Sequence, residues 1–276
     1  METQIQTGED QRRKRWEQEA AFFDSEAERV DIGPVDPRVV ERYATQRRTS
    51  FSKEFRYQLI GNLKGRRILD VGCGDGENAI TLAVLGATVV GIDVSPGAID
   101  VCRRRAEVNG VGDRTEFVCS PLETAGLPGD FDVLWGEAIL HHLIPELDSL
   151  LPRMNDCLRP GGLFVFSEPV NLAPGLRRFR ERMTFVPTHA TPDERPLEQA
   201  EMEKVRAVFP GMQIQWYRLF SRLDRFLLNG QTAYEGAGLL RRALVDSLAR
   251  TDQAMLALPM LQRYAGAAVF FGTKAA

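Results

Sequence analysis

Residues 67–76, Arg-Ile-Leu-Asp-Val-Gly-Cys-Gly-Asp-Gly, constrain this chain more than any other stretch, together with the second apolar run Thr88 to Ile92 that Asp93 closes. A short, nearly continuous apolar run bounded by glycine reads as a strand buried on both faces. Asn78 to Leu85 carries a helical pattern that Gly86 ends, so the segment is a strand, a glycine turn, a helix and a second strand. A carboxylate about twenty residues after the glycine turn, at the tip of the next strand, places a nucleoside-shaped ligand at the carboxyl edge of a parallel sheet.

The same rhythm continues downstream. Pro96 to Asn109 reads as a helix, Thr115 to Cys119 and Phe131 to Trp135 as strands, and Pro145 to Leu158 as a helix. The Arg159-Pro160-Gly161-Gly162 turn then feeds a fifth strand, Leu163 to Ser167. Strands and helices alternating at this spacing imply βαβ units. Upstream, the polar first fifteen residues are expected to fray. Helices are expected over Trp16 to Val30, from Asp36-Pro37 onward, and over Phe51 to Leu63. From 169 to 196, five prolines (Pro169, Pro174, Pro187, Pro192 and Pro196) break the rhythm and punctuate short helical pieces of the 170–210 segment. A strand over Met212 to Leu219, a helix over Gly238 to Leu258 and a last strand over Ala265 to Thr273 complete the chain. The expected fold is α/β, Rossmann-like and doubly wound, with a mostly parallel seven-stranded sheet. It divides into a helical lid (1–60), a cofactor-binding core (61–169), an inserted substrate cap (170–211) and a C-terminal part of the sheet (212–276).

Glycines at 72, 74 and 76 let the backbone turn tightly and approach a ligand, whose polar groups meet free N–H groups at the helix start. That leaves dinucleotide, nucleotide and nucleoside ligands open. The Gly-Lys-Ser/Thr ending of a phosphate loop is absent, and the spacing is Gly-x-Gly-x-Gly rather than Gly-x-Gly-x-x-Gly. Asp70 and Asp75 flank the turn, and two carboxylates there repel a pyrophosphate and attract a cation.

The run Ile68 to Gly76 resembles the first motif of class I S-adenosylmethionine-dependent methyltransferases. Val90-Gly-Ile-Asp-Val-Ser-Pro96 resembles the second, Phe131-Asp-Val-Leu134 the fourth strand, Leu140-His-His-Leu143 the segment after it, and Leu158-Arg-Pro-Gly-Gly-Leu163 the turn into the fifth strand. The resemblance covers residues 60–170 and implies S-adenosyl-L-methionine as cofactor. It sets Asp70, Gly72, Cys73, Gly74 and Asn78 around the methionine part, Asp93 on the ribose hydroxyls, and Ile92 and Val94 beside the adenine. Many members carry an acidic residue after the third strand to hold the adenine amino group. This chain has Ser120-Pro121-Leu122 instead, so Ser120 or backbone is expected to serve. Glu137, with Ala138, falls where the methionine end and the acceptor meet.

His141 and His142 are two of only three histidines, and a near-neutral pKa suits either as general base for a hydroxyl or amine. Glu168, ending the fifth strand, points toward the same crevice and is expected to orient the acceptor. Trp16, Phe22, Phe23 and Tyr43 are expected to form an apolar lid over the sulfonium. Leu176 to Met183 reads as a basic amphipathic cap helix, and nothing is read into His189.

With a net charge of −3, no appended basic domain and no apolar run of bilayer length, neither nucleic acid nor stable membrane insertion is expected. Cys73, Cys102, Cys119 and Cys157 are scattered without a Cys-x-x-Cys pair, so disulfides and structural zinc are not expected, and no ligand cluster at usable spacing implies a metal. No signal peptide opens the chain, which makes the cytoplasm the expected compartment. A homodimer is admissible. The expected activity is methyl transfer to O, N or C of a small, uncharged or mildly anionic acceptor of specialised or lipid-like metabolism. An RNA or protein methyltransferase, a nicotinamide oxidoreductase and a non-catalytic binder of the cofactor are the rival readings.

Overall fold

The computed structural model describes residues 2–45, 49–173, 194–228 and 233–275. Seven strands form one sheet in the order β3-β2-β1-β4-β5-β7-β6. They are β1 (Arg67–Val71), β2 (Thr88–Asp93), β3 (Thr115–Cys119), β4 (Phe131–Glu137), β5 (Leu158–Pro169), β6 (Gln213–Tyr217) and β7 (Ala267–Thr273). β1 to β5 pair in parallel, while β7 runs antiparallel to both β5 and β6. The order reverses between β1 and β4, and that switch point opens a crevice at the carboxyl ends of the strands.

The core explains why these runs are strands. Leu69, Val71, Leu134, Phe164 and Phe166 are buried on one face, and Ile68, Val89, Val133, Trp135 and Val165 on the other. Helix α4 (Glu77–Val84) and helix α5 (Pro96–Val108) cover the second face beside β1 and β2. Helix α6 (Leu147–Cys157) covers the first, with Leu147, Leu150, Leu151 and Met154 facing the sheet.

The leading segment forms α1 (Glu2–Ala27), α2 (Pro37–Thr45) and α3 (Ser52–Ile60). The first fifteen residues, expected to fray, are thus helical from Glu2. Gln, Glu, Arg and Lys there are good helix formers even without an apolar face. α3 is part of the core: Tyr57 and Ile60 pack in the cluster that holds Ile68 and Trp135. Downstream lie α7 (Gln199–Val208) and α8 (Leu239–Leu256).

β5 starts at Leu158, five residues earlier than expected. The Pro160-Gly161-Gly162 turn is absorbed as an irregularity in the β4–β5 register, with Phe131 opposite Leu158 and Val133 opposite Leu163. A Cβ at Gly162 would approach the Phe131 carbonyl to 3.0 Å, so glycine is required there. The basic segment Leu176 to Met183 and His189 lie outside the described residues. No helix among the described residues is long and apolar enough to cross a membrane.

Candidate active site

The crevice is a cavity of about 650 Å³ above the carboxyl ends of β1 to β5, roofed by α1. That is an ordinary size for a small-molecule site, which runs roughly 300–1,000 Å³. Trp16, Phe22, Phe23, Gly72, Cys73, Gly74, Asn78, Asp93, Val94, Ser120, Pro121, Leu122, Glu137, His141, His142 and Glu168 all line it.

The glycine turn is built for close approach. Gly72, Gly74 and Gly76 have φ of 65°, 51° and 79°, a left-handed run that side chains resist. A Cβ at Gly72 would strike Ile139, and one at Gly76 would come within 2.7 Å of Cys102 Sγ. At Gly74 it would meet no protein atom within 4 Å, because that side of the turn faces the cavity. Asp93 ties the turn to α5. Its Oδ2 accepts from the Gly74 N–H at 2.9 Å and its Oδ1 from the Ser95 N–H at 2.9 Å. Ser95, not Asp93, caps α5, accepting from the Ala98 N–H at 2.9 Å. A carboxylate offers about four acceptor positions, so Asp93 keeps acceptor capacity beyond these two bonds. Burial raises the Asp93 pKa against its backbone hydrogen bonds.

Asp70 does not reach the cavity. It is buried beneath the turn, 1% exposed, where burial and the nearby Glu137 charge push its carboxyl to about 8 despite Arg56. Glu137 is its opposite. Burial pulls its pKa up, but Arg56 at 2.9 Å, Lys53 and the Asn78 amide at 2.7 Å overcome that and hold it at about 2. Tyr43 is likewise not a lid residue. It is buried against Tyr57, ring on ring at 4.4 Å and 10°, because the apolar side of α2 packs onto α3.

The lid is anchored. Asp24 Oδ1 accepts from the Ser95 hydroxyl at 2.6 Å and the Gly97 N–H at 2.8 Å, fixing the C-terminal part of α1 to the start of α5. Toward the other end Arg15 pairs with Glu123 at 2.5 Å. Glu123 lines the cavity just after Ser120-Pro121-Leu122, yet its carboxylate is engaged by the lid. The Ser120 hydroxyl donates to the Pro121 carbonyl at 3.2 Å and retains acceptor capacity.

After β4 the chain turns through Ala138, a non-glycine residue at φ 54°. The turn aims successive N–H groups at Glu168, whose Oε1 accepts from Ile139 and Leu140, both at 2.9 Å. Glu168 Oε2 meets His141 Nδ1 at 3.0 Å. Expected to orient an acceptor, Glu168 is instead spent on this loop, a positioning role. His141 Nε2 lies 3.5 Å from Glu194. Burial lowers the His141 pKa, but the two carboxylates outweigh it and raise it to about 9, so this imidazole is cationic at pH 7 and ill suited as a base. His142 Nε2 lies 3.7 Å from the same Glu194 oxygen, and its ring meets Phe23 edge-on at 5.7 Å.

Glu19, Lys53, Arg218 and Glu194 are among the lining residues that escaped sequence reasoning. Glu19 shares the Trp16–Phe23 face of α1, and a carboxylate on an apolar stripe was the signal that could have exposed it. It is 7% exposed, and burial raises its pKa to about 7 despite Arg15. Lys53, Arg218 and Glu194 carried no local signal. Glu194 also completes a grouping that sequence spacing did not show: ligating atoms of His141, His142 and Glu194 lie within 4.8 Å of one another.

Switch-point cleft, glycine cradle and diol-ready carboxylate together define a Rossmann-like α/β protein that binds an adenosyl cofactor. A family model described as a methyltransferase domain matches residues 68–162. The ubiquinone biosynthesis O-methyltransferase of Dinoroseobacter shibae is 35% identical over 170 residues, covering 55% of this chain and 67% of that protein. The like-named protein of Thiobacillus denitrificans is 38% identical over 105 residues, but the chain spans only 45% of its length. The chain belongs to the class I S-adenosylmethionine-dependent methyltransferases, and S-adenosyl-L-methionine is its cofactor. The magnesium protoporphyrin IX methyltransferase of Synechocystis PCC 6803, solved with bound S-adenosylhomocysteine, shares the fold with a TM-score of 0.51 over 98% of this chain and 95% of that one, at 17% identity.

Proposed function

We propose that this enzyme methylates an oxygen of a small neutral acceptor, seated between α1 and the His141–His142 loop, with Glu19 as the proton acceptor. The observation that carries the reading is the position of Glu19: a buried carboxyl poised near neutrality on the lid, in the same cavity as the cofactor cradle. A base works best with a pKa near the working pH. The names of the two ubiquinone-pathway relatives support oxygen as the atom methylated. Buried carboxylates at Glu19, Glu168 and Glu194 disfavour an anionic acceptor.

When bound, the cofactor supplies a methyl group already activated on a sulfonium. The chain's work is then to position and enclose. Asp93 would hold the ribose diol, with Val94 and Ile92 beside the adenine and Ser120 or neighbouring backbone on its edge. Gly74 would leave room for the methionine part. Trp16, Phe22 and Phe23 close the roof, excluding water from the charged centre. Holding the acceptor in line is worth on the order of 7–11 kcal/mol. Glu19 would accept the acceptor's hydroxyl proton on a carboxylate oxygen as that hydroxyl takes up the methyl group.

The test is a pH–rate profile with a hydroxylated acceptor found by screening with labelled cofactor. Wild type should show an acidic limb near pH 7, and Glu19→Gln should lose it and fall about 10²–10⁴-fold in kcat. A limb retained in Glu19→Gln but absent in His142→Gln would transfer the role to His142.

A further inference from the structure

We propose that His141, His142 and Glu194 form a binding site for one divalent transition-metal ion at the acceptor end of the cavity. The three are distant in sequence from any recognisable ligand motif and come together only because the β4 loop and the chain just before α7 meet over the sheet. Bonds of about 2.1 Å at angles near 90–110° put ligating atoms roughly 3.0–3.4 Å apart. The two imidazole Nε2 atoms stand 3.5 and 3.7 Å from Glu194 Oε1, and one ligating atom from each of the three residues lies within 4.8 Å of the others, so the set has to draw together around an ion.

Three further features fit an ion. His141 Nδ1 is bonded to Glu168, the carboxylate–imidazole arrangement that fixes a ligating histidine's ring, and an ion would displace the proton that Nε2 shares with Glu194. Glu19, across the same cavity, has a buried Oε1 with no hydrogen-bond partner among the described residues. Glu168 and Glu194, each only a few per cent exposed, flank the His141 imidazole, and a dication replacing its proton offsets their charge.

Two imidazoles and one carboxylate select zinc, manganese, iron, cobalt or nickel over the oxygen-seeking magnesium and calcium. Three protein ligands leave coordination positions open, and all three residues line the cavity. An acceptor bearing two adjacent oxygens, such as a catechol or a hydroxy-ketone, would thus be oriented and its hydroxyl made more acidic. That consequence rests on the methyl-transfer reading above, whereas ion binding does not.

The full chain, tag removed and stripped by chelator dialysis, is titrated calorimetrically with zinc chloride and manganese chloride, and separately with S-adenosylhomocysteine. One ion per chain is expected. Glu194→Gln and His142→Ala should each weaken ion affinity at least about tenfold while leaving S-adenosylhomocysteine affinity intact. Cobalt loading should give a visible absorption spectrum that both variants alter. Wild type that binds S-adenosylhomocysteine but no stoichiometric ion overturns the proposal, as does equal ion affinity in wild type and both variants. Ion binding without S-adenosylhomocysteine binding would uphold the site and count against the methyl-transfer reading instead.

Discussion

At the scale of single residues, carboxyl groups in one cavity differ in what their surroundings do to them. Glu137 is held near 2 by Arg56 and Lys53 against burial, while Glu19 is lifted to about 7 mainly by burial. The sign for stability follows from the second. A carboxyl whose folded pKa lies above its unfolded value costs nothing below about pH 4.5, progressively more from there to about pH 7, and its full penalty above. Glu19→Gln should therefore raise stability at pH 8 by roughly 1–3 kcal/mol and give no gain at pH 4, read by thermal melts of both proteins at each pH. Asp93→Ala removes the acceptors proposed for the ribose diol as well as the Gly74 and Ser95 hydrogen bonds. Affinity for S-adenosylhomocysteine should fall by about 1.5–3 kcal/mol by calorimetry, and unchanged affinity in a folded variant would remove Asp93 from the cofactor site. Asp93 was legible because a carboxylate at a strand tip has a chemical reason to be there. Glu19 was overshadowed by the aromatic residues beside it.

At the scale of elements, the turn between β1 and α4 and the lid α1 decide whether a ligand can be cradled. Gly72→Ala would hold a side chain at φ 65° and drive its Cβ into Ile139. A loss of about 1–3 kcal/mol in unfolding free energy is expected from the backbone alone, measured in urea. The lid is the complementary case. Asp24 holds α1 to the start of α5 through Ser95 and Gly97, so Asp24→Ala should loosen the roof without touching the cradle. The expected outcome is faster S-adenosylhomocysteine dissociation in stopped flow, by several-fold, with the melting temperature little changed. Element types were readable throughout β1 to β5 because period and glycine punctuation agree. Boundaries were not: β5 begins at Leu158 because register with Phe131, not local sequence, sets it.

At the scale of the whole molecule, the cofactor cleft couples lid, sheet and C-terminal strands into one body, so its ligand should stabilise everything. Saturation with S-adenosylhomocysteine at a hundred times its Kd should add about 2.7 kcal/mol to unfolding, while NAD at equal concentration should add nothing measurable. The sequence by itself determined the strand–helix alternation, the switch-point cleft and the glycine turn that lines it, because those depend on short-range patterns: apolar period, glycine conformation and a carboxylate at a fixed distance. Tyr43 shows the limit, since nothing local distinguishes an aromatic that stacks on Tyr57 from one that roofs a cavity. Tertiary structure decided what joins the histidine pair in the cavity. Glu19, His142 and Glu194 arrive from a lid helix, a post-strand loop and the approach to α7. Their chemistry exists only once long-range packing has brought them under one roof.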